Sequence, residues 1–371
     1  MTPEPATQSQ PTHLDSPKLR SLRRALLTWY DRAKRDLPWR RRAGDGYAQW
    51  LAEMMLQQTQ VATVIPYYQK FMKRFPTIAD LAVADQADVL HLWAGLGYYA
   101  RARNLHAAAQ RVVDAYGAIV PDDVDELLTL PGVGRYTAGA IASIAYDVPA
   151  PIVDGNVTRV LARLLAIEQD VGDPQTQAQI WETSKRLLPK KRCGDFNQAL
   201  MELGATICAP KQPRCLLCPW AKQCQAHRRG LESTLPIKRR RTAVKAIHIS
   251  VAAVEKNGRY YWRQRPQTGL WAAMWELPNI ETSPRAKPQA QTKNLEAELG
   301  LTELMQWRPV GRTDHQLTHR KIHFTIMRAR LANGQSINAN GQNNRWLSLS
   351  DAPKRLPIST AQQKILKLLD P

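Results

Sequence analysis

The chain has 371 residues, 44% of them hydrophobic, and carries 52 Lys and Arg against 32 Asp and Glu, a formal charge of +20. Such a length exceeds one typical domain and predicts two. The charge calls for a polyanionic partner, and nucleic acid fits better than an acidic membrane because no lipid-anchoring signal accompanies it. No apolar stretch reaches the roughly 18 residues that cross a bilayer, so a helical membrane protein is excluded.

Residues 1–17 are polar and proline-bearing without the apolar run of a signal peptide. They read as a disordered tail ahead of a cytoplasmic, nucleoid-associated protein. From Leu19 to Ala226 apolar residues recur at helical spacing, as in Leu19, Leu22 and Leu26 and again in Val157, Val160, Leu161, Leu164 and Leu165. A mostly helical domain over residues 18–227 is therefore expected, then a basic linker over 228–243 containing Lys238-Arg239-Arg240-Arg241. Over residues 244–371 the pattern turns to alternation. Ile247, Ile249 and Val251 precede Tyr260-Tyr261-Trp262 across Asn257-Gly258, a favoured hairpin turn. A second strand-rich region spans residues 321–331, a short helix is expected at 293–299, and 332–344 read as a polar loop. The second domain is therefore α+β.

Residues 50–56 are apolar around most of a helix's circumference, and Glu53 is the only carboxylate between Asp45 and Asp80. Either Glu53 faces water, or it is buried with a raised pKa, as a general acid requires. Gln57, Gln58, Thr59 and Gln60 follow directly. Farther on, Leu130-Pro131-Gly132-Val133-Gly134 separates two helical patterns. Such a turn is either a plain connector or one whose outward N–H groups receive a DNA phosphate. Asp154 precedes Gly155-Asn156 and an amphipathic helix, so it is a natural N-cap, and the same helix N-terminus favours its ionised form, suiting a residue that meets a developing cation.

Cys208, Cys215, Cys218 and Cys224 are separated by six, two and five residues. Four clustered thiols hold either zinc or a [4Fe-4S] cluster, and one C-x-x-C flanked by single cysteines favours iron-sulfur over the paired knuckles of structural zinc. His227 is an alternative ligand, Cys193 lies outside the spacing, and Lys211 and Arg214 would present positive charge to a phosphate backbone.

Together, Glu53-Met54-Met55-Leu56-Gln57-Gln58-Thr59-Gln60-Val61, the run from Gly95 to Leu105 (GLGYYARARNL), the glycine turn, Val153-Asp154-Gly155-Asn156-Val157 and the four cysteines resemble the MutY-type adenine DNA glycosylases. These are helix-hairpin-helix base-excision enzymes related to endonuclease III. The resemblance covers about residues 19–226 and continues more loosely to the C-terminus. It implies a six-helix barrel plus an iron-sulfur lobe at 208–224, with kinked duplex DNA between them and a Nudix-like recognition domain behind. It implies that adenine opposite 8-oxoguanine or guanine is flipped out, that Glu53 protonates it at N7, and that Asp154 stabilises the oxocarbenium-like sugar. Asn156 and Tyr136 become neighbours of that sugar, and Gln58 and Tyr98 wedges in the duplex. Bifunctional relatives carry a lysine where this chain has Tyr136, so a monofunctional glycosylase is implied. The signature of the second domain is the run from Gly269 to Pro278 (GLWAAMWELP). Its helix offers only Glu296 and Glu298, too few acids for nucleotide hydrolysis, and Leu317-Thr318-His319 stands where the family often has Phe-Ser-His, leaving Thr318 and His319 to read 8-oxoguanine. Without a heptad or apolar stripe, a monomer is expected.

Overall fold

The computed structural model describes residues 15–239, 245–301, 305–331, 335–337 and 343–370. They form two compact units that interleave in sequence, the first taking residues 15–72, 77–79 and 108–239 and the second 73–76, 80–107 and the C-terminal part from 245. The sequence had placed the whole of 18–227 in one domain. The division instead passes through three helices of that stretch.

Twelve helices precede the sheet among the described residues: α1 (Ser16–Ala33), α2 (Gly46–Leu56), α3 (Val61–Arg74), α4 (Ile78–Ala82), α5 (Gln86–Trp93), α6 (Ala100–Tyr116), α7 (Val124–Leu128), α8 (Arg135–Tyr146), α9 (Gly155–Leu165), α10 (Pro174–Leu187), α11 (Cys193–Thr206) and α12 (Gln225–Arg229). Their starts follow capping chemistry. Asp15 accepts the Lys18 N–H with a proline in the first turn of α1, and Asp45 does the same for the Ala48 N–H at α2. Residues 15–17 therefore begin α1 and are not part of a tail; the remainder of that expected tail lies outside the described residues. The core of the first unit joins Leu22, Leu26 and Tyr30 of α1 with Val157, Val160, Leu161 and Leu164 of α9 and with Phe196, Leu200 and Leu203 of α11. Two glycines permit close approaches beside the α9 cap. A Cβ at Gly139 would stand 2.4 Å from the Pro151 carbonyl oxygen, and one at Gly204 would stand 2.7 Å from Asn156 Cβ.

The expected linker is bound to this unit over much of its length. Arg228 and Arg229 end α12, Leu235 is buried, and the Val171 N–H donates to the Ile237 carbonyl at 2.9 Å. Apolar residues at 235 and 237 gave the basic segment a reason to pack. Residues 240–244 lie outside the described residues, as does most of the polar loop expected at 332–344.

In the second unit, β1 (Lys245–Lys256), β2 (Arg259–Gln264), β3 (Trp275–Glu276), β4 (Asn279–Thr282), β5 (Arg308–Gln316), β6 (Arg320–Arg330) and β7 (Asn344–Leu347) form one mixed sheet in the order β3-β2-β1-β6-β5, with β4 pairing β1 and β7 pairing β2. Strands β1 and β6 are parallel; the other pairs are antiparallel. Asn257 and Gly258 both have positive φ, 51° and 74°, as a two-residue hairpin requires. Helix α13 (Pro288–Glu298) begins earlier than expected, then α14 (Ala352–Arg355) and α15 (Thr360–Leu369) close the chain. Val251 and Ala253 pack with Ile365 and Leu366 of α15, whereas Ala252 and Val254 pack with Leu295 of α13. Burial on both faces explains why the alternation of β1 gives way to the continuous apolar run Val251-Ala252-Ala253-Val254.

Candidate active site and metal centre

Every residue of α2 from Gly46 to Met55 is buried, and Glu53 is 3% exposed. Both carboxyl oxygens are occupied: Gln49 Nε2 donates to Oε1 at 2.6 Å and the Tyr136 hydroxyl donates to Oε2 at 2.7 Å. Burial pushes the Glu53 carboxyl up to about 7; the Tyr136 hydrogen bond opposes this, the charge of Asp154 adds to it, and Gln49 and Arg40 oppose it more weakly. Of the two placements open to Glu53, the structure has the buried one, and a carboxyl poised near neutrality can give a proton and take one back.

Asp154 caps α9. Its Oδ1 accepts the Val157 N–H at 2.6 Å and its Oδ2 accepts from Asn156 Nδ2 at 3.2 Å. Burial raises its carboxyl above the ordinary range, against the lowering effect of those two donors. Capping alone was expected to favour ionisation; desolvation outweighs it here. Arg159, one turn on, donates from Nη2 to Asn156 Oδ1 at 2.8 Å and to the Gly204 carbonyl at 2.7 Å, and from Nε to the Cys208 carbonyl at 2.8 Å. The cap is thereby tied to the first of the clustered cysteines.

Glu53, Gln58, Gly132, Gly134, Tyr136, Asp154 and Asn156 all line one cleft of about 720 Å³, within the range of small-molecule sites. Gly132 has φ +75°, which only glycine adopts freely, whereas Gly134 has φ −99° and precedes α8. No atom lies within 4 Å of a Cβ built at Gly134, so its surroundings are open. Gln58 adopts φ 57°, a left-handed backbone held at the mouth of the cleft. In the second unit, Tyr98 is 47% exposed with φ 49°, and its hydroxyl lies 2.6 Å from Thr318 Oγ1. Thr318 and His319, both exposed, stand with Leu317 in the three-residue connection between β5 and β6.

Trp39, Arg40, Gln49, Gln198 and Glu202 line the same cleft and were not found from the sequence. Only Gln49 left a signal, standing four residues before Glu53 on one helix face. The others reach the cleft through tertiary packing of α11 and of the 3-10 turn Pro38–Arg41.

Cys208, Cys215, Cys218 and Cys224 line a second, apolar-walled pocket with Val160, Leu164, Leu203 and Trp220. Burial pushes the Cys218 thiol up to about 12 and raises Cys215 and Cys224 as well, so four thiolates there need a cationic centre. Arg163 places Nη1 3.3 Å from Cys208 Sγ and donates to the carbonyls of Ala209 at 2.8 Å, Pro210 at 3.1 Å and Leu235 at 2.8 Å. This donor set fits a four-thiolate cluster. Cys215, His227 and Glu232 also bring ligand atoms within 4.8 Å of one another at its edge.

Two families match the chain: HhH-GPD superfamily base excision DNA repair protein over residues 51–186, and NUDIX domain over residues 250–368. The rat adenine DNA glycosylase is 36% identical over 98% of this chain and 81% of its own length, and the human one is 36% identical over 95% and 75%. The chain belongs to the adenine DNA glycosylase family. A shorter adenine DNA glycosylase, from Buchnera aphidicola of Acyrthosiphon pisum, is 31% identical over 92% of this chain and 95% of its own. The glycosylase is also similar to a thermostable thymine-DNA glycosylase, with TM-score 0.52 and 30% identity over 58% of this chain and 100% of that one. A trapped endonuclease III–DNA covalent intermediate shares the fold at TM-score 0.50 and 24% identity, covering 59% of this chain and 100% of that one. The enzyme is thus an adenine DNA glycosylase of base excision repair, hydrolysing N-glycosyl bonds in duplex DNA. Its second domain has the Nudix fold, and the two helix acids there are already engaged. Glu296 accepts from Trp307 Nε1 at 2.8 Å and from the Met305 N–H at 2.9 Å, while Glu298 pairs with Arg263.

Proposed function

We propose that the enzyme removes adenine paired with 8-oxoguanine or guanine, and that it is monofunctional, leaving an abasic site uncut. The observation that carries this reading is the buried Glu53 carboxyl, raised to about 7, in one cleft with Tyr136 and Asp154. An adenosine flipped into the cleft would take the Glu53 proton at N7. The N-glycosyl bond then breaks with its electron pair leaving on the neutral base. Asp154 faces the sugar cation, electrostatically or through a transient ester, with Asn156 holding the Asp154 carboxyl in place. Water adds at C1′, and the Glu53 carboxylate takes up its proton. A tyrosine at position 136 offers no amine to form a Schiff base, which supports base release without strand cleavage.

The remaining assignments follow the same reading. Gly132 and Gly134 receive a backbone phosphate, Gln58 and Tyr98 enter the stack beside the lesion, and Thr318 and His319 read the base opposite adenine. The Nudix-fold domain serves recognition, since Glu296 and Glu298 are held by Trp307 and Arg263. Cys208, Cys215, Cys218 and Cys224 hold a [4Fe-4S] cluster, whose contribution is to brace the surrounding loop. The protein works as a monomer in the cytoplasm, on the nucleoid. Glu53→Gln keeps the side-chain volume without the acid. Adenine release by that variant at the parent rate in single-turnover assays would overturn the mechanism; a fall of about 10²-fold or more is expected.

A further inference from the structure

Glu202 takes no part in the chemistry above, yet it is a carboxylate 1% exposed, on α11, at the wall of the cleft. Its Oε1 accepts from Arg35 Nε at 2.6 Å, and its Oε2 accepts from Arg35 Nη2 at 3.1 Å and Arg40 Nη2 at 2.9 Å. Arg40 is fixed at its two other nitrogens as well, by Gln198 Oε1 at 3.0 Å and the Arg35 carbonyl at 2.9 Å. An ion triad around a buried carboxylate stabilises a fold weakly, because desolvation offsets the attraction. Its position gives it another effect. Arg40 lines the cleft with Glu53, and its positive charge acts on that carboxyl.

We propose that Glu202 is a positioning residue for adenine excision: it anchors the Arg40 guanidinium at the cleft wall and cancels its charge at Glu53, so that Glu53 keeps its proton. The inference rests on Glu53 being the acid. The groups facing Glu53 are Gln49 of its own helix, Tyr136 of α8, Asp154 at the start of α9 and Arg40 ahead of α2. Those facing Glu202 are Arg35, Arg40 and Tyr30. With Glu202 ionised, two guanidiniums meet one carboxylate. Without it, both cations stand uncompensated in the cleft that holds the acid, Arg40 acting on it directly. Burial raises the Glu202 carboxyl, but the hydrogen bonds and charges of Arg35 and Arg40 hold it below its ordinary value, so it stays ionised wherever Glu53 titrates.

The test is the pH dependence of single-turnover adenine release from saturated enzyme, comparing the parent with Glu202→Gln, Glu202→Asp, Arg35→Met and Glu53→Gln. The alkaline limb of Glu202→Gln should move down by about one pH unit, so that its deficit grows by about tenfold between acid and alkaline conditions. Glu202→Asp should restore part of that shift. Arg35→Met removes a cation from a partly exposed position and leaves a neutral Glu202–Arg40 pair, so its limb should move up. A uniform loss of rate with an unmoved limb in Glu202→Gln overturns the proposal. Should Glu202→Gln lose its helical circular dichroism, Arg35→Met decides alone, and an unmoved or lowered limb is the contradicting result. Adenine release by Glu53→Gln at the parent rate would instead remove the acid reading on which the inference stands, a distinct outcome.

Discussion

The Tyr136 hydroxyl lies 2.7 Å from Glu53 Oε2, while Gln49 holds the other carboxyl oxygen. The hydrogen bond lowers the Glu53 carboxyl against the larger effect of burial. Tyr136→Phe should therefore move the alkaline limb of the excision rate to higher pH. It should also leave borohydride trapping to DNA as absent as in the parent, because neither side chain carries an amine. A limb that moves down, or a trapped parent complex on a gel, would contradict this assignment.

The raised acid has a cost in stability with a definite sign. Between its ordinary 4.5 and about 7 the folded chain binds the Glu53 proton and the unfolded chain releases it. Stability from this group is complete below the lower value and is lost as pH rises through the upper one, to the extent of roughly 3 kcal/mol. Denaturation of Glu53→Gln by urea should show it more stable than the parent at pH 8, with the difference shrinking toward pH 5. Equal stability at both pH values would mean that Glu53 is not desolvated.

Gly204 sets the seat of the second carboxylate. A Cβ there would stand 2.7 Å from Asn156 Cβ and 3.2 Å from its carbonyl oxygen, so Gly204→Ala has to push α11 and the α9 cap apart. Overpacking costs about 1–3 kcal/mol, and misplacing a catalytic group by about 1 Å costs up to 10²-fold in rate. Single-turnover rates should fall more than the melting temperature does. An alanine variant with the parent's rate would show that the spacing at Asp154 is not critical.

Arg163 is buried and braces the cysteine loop through the carbonyls of Ala209, Pro210 and Leu235. Arg163→Met leaves those acceptors unsatisfied, at about 1–3 kcal/mol each. With the proposed [4Fe-4S] cluster in the parent, iron and sulfide per chain should drop and the purified variant should be paler in yellow-brown colour. Full iron content at an unchanged melting temperature would remove this residue from the account of the metal centre.

Much of this architecture was legible because local chemistry and tertiary role coincide. Asp154 is both an N-cap and a cleft residue, and its place before an amphipathic helix with a regular apolar stripe announces both. Helix α2, apolar all round, announced its own burial, but only the fold could decide between a buried and an exposed Glu53. The hairpin at Asn257-Gly258 was visible because its turn needs two positive φ values. Strand β5 escaped notice, since its polar residues alternate with few apolar ones at a sheet edge. Arg40, Gln198 and Glu202 escaped too: their meeting joins segments about 160 residues apart, a distance over which no periodicity carries information.

The central claim is adenine release from mispairs by an acid-assisted, monofunctional route. Its most direct test is single-turnover reaction of duplexes carrying adenine opposite 8-oxoguanine, guanine or thymine, each divided and developed with or without alkali. Strand breaks confined to the first two duplexes, and present only after alkali, are the predicted result. Breaks without alkali, or base release from the adenine–thymine duplex at the same rate, would contradict it.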